Sequence, residues 1–178
     1  MELDRLLPAY EFRSHHHRRI AADRDTTWEA YRTLTPEDMP TSWQLMRMRG
    51  FGRSGPPGPA DDTFPVPLLS TVPYEEVRGR AGRYWQPRPT YAPLPPGDAD
   101  AFRALSEPGW AKAAVGIRVV PDGDGSVLTV ETRVHCTDLR SRLAFAPYWL
   151  AIRAGGAGLI RLELLRAVAR HAEARTGA

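Results

Sequence analysis

Three chemically capable side chains, Glu131, Arg133 and His135, alternate along one run of the sequence. In a strand they would project from a single face at steps of about 7 Å. Turned toward a cavity, Arg133 could grip a carboxylate or enolate while Glu131 or His135 moves a proton. The opposite face, Leu128, Val130, Thr132, Val134 and Cys136, is the more apolar one, which favours a solvated charged ladder instead. Trp43, Trp85, Tyr148 and Trp149 add large rings with polar donors, suited either to lining a pocket or to packing a core. His15 and His17 share one side of a strand and imidazole suits zinc, but no second cluster offers the further ligands a closed site needs, so no metal is expected. A solvated basic edge that discourages strand pairing is the alternative for these histidines. The chain has no nucleophile elbow, zinc-protease motif or dinucleotide fingerprint, and the Gly/Pro loop at 50–60 lacks the Lys and following Ser or Thr of a phosphate cradle. No cofactor is expected.

These residues must be positioned by elements that the hydropathy pattern outlines. An alternating run over residues 11–20 predicts an edge strand. Thr26-Thr27-Trp28-Glu29 reads as a capping box opening a short helix. Thr35-Pro36-Glu37-Asp38 reads as the cap of a second, whose apolar side is Met39, Trp43 and Met46. Strand signals follow at Val66–Val72, Tyr74–Arg80 and Arg83–Tyr91, punctuated by Pro73, Gly79 and Gly82. Gly/Pro-rich loops occupy 50–60 and 87–97. The clearest hairpin joins the run from Ala113 to Val120, through Pro121-Asp122-Gly123-Asp124-Gly125, to the run from Val127 to Cys136. Thr137 or Asp138 can cap a helix with Leu139, Leu143, Ala146 and Leu150 on one stripe and Phe145, Trp149 and Ile152 beside it. Pro147 and the glycines at 155–158 are expected to kink or break it. In the final helix Leu159, Leu162, Leu165, Val168, Ala169 and Ala172 are expected inside, with Arg161, Arg166, Arg170 and Glu173 in water.

At 178 residues, 42% hydrophobic and 25% charged, the chain is read as one globular domain over 1–178 with residues 1–10 as an N-terminal extension. Its basic side chains are 23 Arg and one Lys, spread along the whole chain, and no nucleic-acid motif accompanies them. The lone Cys136 excludes an intrachain disulfide. With no apolar run long enough to span a bilayer and no signal-type start, the expectation is a cytoplasmic protein without a membrane span or nucleic-acid partner.

The order strand, two short helices, antiparallel strands and long C-terminal helix resembles the helix-grip arrangement. Val130-Glu131-Thr132-Arg133-Val134, Phe145-Ala146-Pro147-Tyr148-Trp149, Glu75-Glu76-Val77-Arg78-Gly79 and Gly82-Arg83-Tyr84-Trp85 are similar to segments of uncharacterised bacterial members of the START-like (SRPBCC) superfamily. The resemblance spans Glu11 to Ala174. It implies an α+β fold in which a curved antiparallel sheet of six or seven strands wraps the C-terminal helix, and a buried Glu131 paired with Arg161. It also implies a hydrophobic or amphiphilic ligand, lipid- or polyketide-like, held between sheet and helix by Trp43, Trp85, Glu131, Arg133, His135, Tyr148 and Trp149. The superfamily includes aromatase/cyclases, so an enzyme stays open, but no catalytic motif carries over residue by residue. A further alternative is an interaction module whose basic C-terminal helix docks an acidic partner.

Overall fold

The computed structural model describes residues 1–48, 66–155 and 157–176. The expected loop at 50–60 lies outside them, as do the side chains of Met46 and Met48. Six strands, β1 (Phe12–Ile20), β2 (Leu68–Val72), β3 (Glu75–Arg83), β4 (Thr90–Tyr91), β5 (Ala111–Asp122) and β6 (Gly125–Cys136), form one antiparallel sheet. Their spatial order is β1-β6-β5-β3-β2, with β4 paired to β3. The helices are α1 (Glu2–Leu6), α2 (Arg24–Arg32), α3 (Pro40–Met48), α4 (Ala99–Ala104), α5 (Leu139–Gly155) and α6 (Ala157–Thr176). This is the expected α+β helix grip.

The hairpin of β5 and β6 closes where Asp122 pairs with Gly125, with Gly123 at φ 61°, a conformation that favours glycine. Two glycines read as strand breaks do not break one. β3 runs unbroken from Glu75 through Gly79 and Gly82, so the two strands expected over 74–91 are one long strand and the two-residue β4. A Cβ at Gly79 would lie 2.5 Å from the Leu69 side chain and 3.0 Å from the Ala113 carbonyl, so the glycine lets neighbouring strands approach.

Both faces of the sheet are covered. On the inner face Ile20, Ile117, Val119, Leu128 and Val130 pack against α6 through Leu164, Leu165, Val168 and Ala172, and against α2 through Ala30 and Tyr31. On the outer face Val77 and Ala114 lie beneath Leu3, Leu6 and Leu7 of the N-terminal segment and Phe102 of α4. Residues 1–10, expected as an extension, are thus a second layer seated by leucines spaced three and four apart. The Lys112 ammonium, on that outer face, donates to the carbonyls of Arg103 (2.8 Å) and Leu105 (3.1 Å), satisfying groups left open at the end of α4.

Local signals erred in instructive ways. The cap of α2 is Asp23, whose Oδ1 accepts from the Thr26 N–H at 2.8 Å, so the helix starts two residues before Thr26. The Thr35 cap leads into a 3-10 turn, Pro36–Asp38, and α3 begins at Pro40. α5, capped by Asp138 through the Ser141 N–H at 3.0 Å, passes through Pro147 without ending. The carbonyl that Pro147 deprives of a donor belongs to Leu143, a residue 66% exposed. The change of direction falls at the glycines instead: Leu139–Arg153 and Gly158–Thr176 run 50° apart. Among the described residues no single helix is long and apolar enough to cross a membrane.

The rotation of the last helix also differs from the expectation. Leu165, Val168, Ala169 and Ala172 are buried as read, but Leu159 and Leu162 are exposed and Arg161 turns inward. Counting back from Leu165, Val168 and Ala172 by four, seven and eleven residues reaches position 161, so the arginine occupies the buried stripe.

Candidate ligand cleft between the first strand and the last helices

Ser14 and His16 project from the inner side of edge strand β1, and Arg161 reaches toward them from α6. The Arg161 Nε and Nη2 groups donate to Thr132 Oγ1 on β6 at 3.1 and 2.9 Å. Burial pulls the Arg161 pKa down to about 10, which still leaves the group charged at neutral pH. Between these elements opens a cleft of about 280 Å³ lined by Arg13, Ser14, His15, His16, Arg153, Gly158 and Arg161. Among the described residues its lining holds no carboxylate; Arg153 and Arg161 supply its positive charge, while the Arg13 guanidinium turns to the outer face and bonds Glu131. The His16 Nε2 and the Ser14 hydroxyl are 3.0 Å apart. Burial, followed by the positive charge of Arg161, holds the His16 imidazole below its ordinary pKa and so neutral at pH 7. A concave site with two guanidiniums and no carboxylate in its lining is suited to an anion.

Next to the cleft along β1 and α5 lies a packed aromatic cluster. Phe12 lies 5.0 Å from Phe145 and 5.8 Å from Trp149, ring centre to ring centre. Trp85, Tyr84 and Tyr148 surround Phe145 at 6.5, 6.3 and 5.4 Å. Trp85, Tyr148 and Trp149 are therefore brought together, and Trp149, one turn before Arg153, is buried in this packing. Trp43 stands apart on α3 and is half-buried. Deeper across the sheet, the Tyr31 hydroxyl donates to Glu76 Oε1 at 2.8 Å, and Arg78 Nε donates to the same oxygen. Burial and then the Glu76 charge raise the Tyr31 hydroxyl well above its usual pKa, so it remains a proton donor.

Glu131, Arg133 and His135 do not face this interior. Register pairs Thr132 with Val115 and Val130 with Ile117 on the inner face, which turns 131, 133 and 135 outward. Glu131 is buried, as the resemblance implies, but its partners are Arg13 (2.8 and 3.0 Å) and Arg133 (2.7 Å), not Arg161. Arg133 in turn bonds Asp4 at 2.8 Å and the Leu7 carbonyl at 3.3 Å, and its guanidinium lies over the Tyr10 ring at 4.7 Å. The His135 Nδ1 lies 3.3 Å from Glu11 Oε1. The charged ladder thus fastens the N-terminal segment to the back of the sheet. The physical reason is the leucine-bearing α1, which covers a face that strand alternation alone would leave to solvent.

Tyr31, Glu76 and Arg78 are not among the site residues expected from the sequence, and Arg161, expected in water from periodicity and beside Glu131 from the resemblance, turns inward to Thr132 instead. Glu76 and Arg78 carried a signal, since charges two apart within a strand share a face. The His15 and His17 rings are 5.6 Å apart, and among the described residues no group of three or more His, Cys, Asp or Glu is placed to hold a metal ion. Burial pushes the Cys136 thiol up to about 12, so it sits in the core as an unreactive small hydrophobe.

No protein-family model matches the chain, and no curated protein matches it. Similar solved structures include norcoclaurine synthase from Thalictrum flavum, 16% identical with a TM-score of 0.44, covering 89% of this chain and 84% of that one. A second, the protein TTHA0849 from Thermus thermophilus, is 9% identical with a TM-score of 0.36, over 93% of this chain and 99% of that one. CalU16 from Micromonospora echinospora is 14% identical with a TM-score of 0.31, over 93% and 86%. Neither substrate nor chemistry carries over at these levels, and the fold stands on its own strands and helices.

Proposed function

We propose that this chain is a START-like binding protein for an amphiphilic small molecule with an acid group, held between the sheet and the C-terminal helices. The observation that carries the reading is the acid-free cationic cleft, with half-buried Arg161 in its wall and aromatic residues beside it. Its volume of about 280 Å³ is at the low end for ligand pockets, so the cleft takes one end of a ligand and not a whole lipid. The acid group bonds Arg161 and Arg153, while the ligand body runs along the side bearing Trp85, Tyr148 and Trp149, with Trp43 at the α3 flank. Covering about 300 Å² of apolar ligand surface gives roughly 7 kcal/mol before association costs, enough for modest affinity alone. A charge-assisted hydrogen bond adds roughly 1.5–3 kcal/mol, or about ten- to a hundredfold.

Native mass spectrometry and tryptophan fluorescence with a medium-chain fatty acid and its methyl ester test the reading. The acid is expected to be retained at least about tenfold more tightly than the ester. Equal retention removes the acid group from the proposal, and no retention of either overturns the binding function.

A second reading, an aromatase/cyclase-like enzyme, is favoured by the buried Tyr31-Glu76-Arg78 set on the inner face, where a hydroxyl proton and a carboxylate meet. It relocates the proton-transfer role from Glu131, Arg133 and His135 to Tyr31 and Glu76. Turnover that disappears in Tyr31→Phe while ligand retention persists would distinguish it from a carrier.

A further inference from the structure

The helix that packs its aromatic side against the sheet turns an unusual surface outward. Leu139, Leu143 and Leu150 of α5 are 67, 66 and 67% exposed, and on a helix they fall within about 40° of one another around the axis. Leu159 and Leu162 continue the exposed leucines onto the start of α6. Single exposed leucines are ordinary, but three aligned on one face of α5, with two more exposed early in α6, are of the kind that marks a binding surface. The charge beside it is all of one sign. From Leu139 to Leu162 the sequence has no acidic residue, in a chain carrying 21 of them, and its exposed arginines are Arg140, Arg142 and Arg153, Arg161 being turned inward. The flanking acids are engaged elsewhere: Asp138 accepts from the Ser141 N–H and hydroxyl, and Glu163 accepts from the Thr41 and Ser42 N–H groups at the start of α3.

We infer that α5 and the first turns of α6 form a membrane-surface docking face for anionic lipid, the leucines entering the headgroup boundary and Arg140 and Arg142 meeting lipid phosphates and carboxylates. This needs no spanning helix; an interfacial helix lies in the membrane plane with its apolar side a few ångströms deep. Charge complementarity selects this occupant. A second copy seated on the same face would bring its arginines no carboxylate from residues 139–162, whereas an anionic bilayer satisfies leucine and arginine together.

Flotation of the full chain with phosphatidylcholine vesicles, with and without phosphatidylserine, tests the inference. Binding is expected to phosphatidylserine-containing vesicles, weakening as salt rises. Leu143→Ser with Leu150→Ser is expected to lower binding by about tenfold or more. Arg142→Glu is expected to lower it about fivefold or more on anionic vesicles. These side chains are mostly exposed, so the variants should keep the wild-type circular dichroism and melting temperature. No flotation, or flotation that the double serine variant leaves unchanged, overturns the inference. A dimer in solution that the same variant dissolves also overturns it, because the face is then a contact between copies.

Discussion

Arg161→Met is expected to weaken retention of an acid-bearing amphiphile by about thirtyfold or more, through loss of a desolvated charge worth roughly 2–5 kcal/mol in such pairs. The same change should move the melting temperature little, the loss of the bonds to Thr132 being offset by the desolvation it relieves. Methionine fills a similar volume, and the guanidinium it removes carries a desolvation cost visible in the pKa drawn down to about 10. Loss of binding without loss of stability separates a ligand-holding arginine from a structural one. His16 supplies a second readout. Its pKa is depressed by burial and then by Arg161, so its imidazole is neutral at pH 7. An anion placed in the cleft favours the charged form, and the His16 pKa measured by NMR should rise when the acid binds. A fall or no change on saturation would place the acid elsewhere, and undiminished retention by Arg161→Met would remove Arg161 from the site.

Much of this architecture is written in local pattern. The alternation of Ala113 to Val120 and Val127 to Cys136, interrupted only by turn residues, dictates the β5-β6 hairpin, and the proline and glycine clusters bound the remaining strands. What alternation does not decide is which face of a strand looks inward when both are covered. Nine of the twelve residues of β6 are buried, because the N-terminal segment reaches its outer side through Asp4 and Leu7 while α2, α5 and α6 cover the other. Glu131 and Arg133 therefore read equally well as cavity or surface groups, and only Leu3, Leu6 and Leu7, spaced as a helix stripe, betray the covering layer. α5 poses the same ambiguity in helical form. Its leucine stripe is more regular than its aromatic one, yet Phe145 and Trp149 are the buried residues, because Phe12 and Trp85 arrive from distant parts of the chain to pack on them. In α6 the period of Leu165, Val168 and Ala172 already includes position 161, and it is charge alone that argues for a solvated Arg161.

The outer network makes the opposite kind of prediction. Glu131→Gln is expected to lower stability by about 3 kcal/mol, since removing one partner of a buried ion pair leaves Arg133 undercompensated in a site that is almost wholly covered. For a chain of this size that is a fall in melting temperature of roughly 6–12 °C. Replacing both members, Glu131→Leu with Arg133→Met, should recover much of the loss, because no buried charge is then stranded. The wild-type protein should show the same dependence on pH. Burial alone would raise the Glu131 carboxyl, but the bonds from Arg13 and Arg133 outweigh it and its pKa lies below the ordinary 4.5. Asp4 is likewise held below 3.8, chiefly by its bond from Arg133. Groups with lowered folded pKa values stabilise above their unfolded values and lose that contribution as pH falls through the folded ones, so the N-terminal segment should loosen in acid below about pH 4. Amide exchange at Leu6 and Leu7, followed as pH is lowered, reads this directly. Throughout, the acid amphiphile should bind Glu131→Gln as it binds the wild type wherever the variant is folded, because the network lies on the far side of the sheet. A folded Glu131→Gln protein that no longer binds would return the charged ladder of β6 to the functional site and overturn its assignment as the clasp of the N-terminal segment.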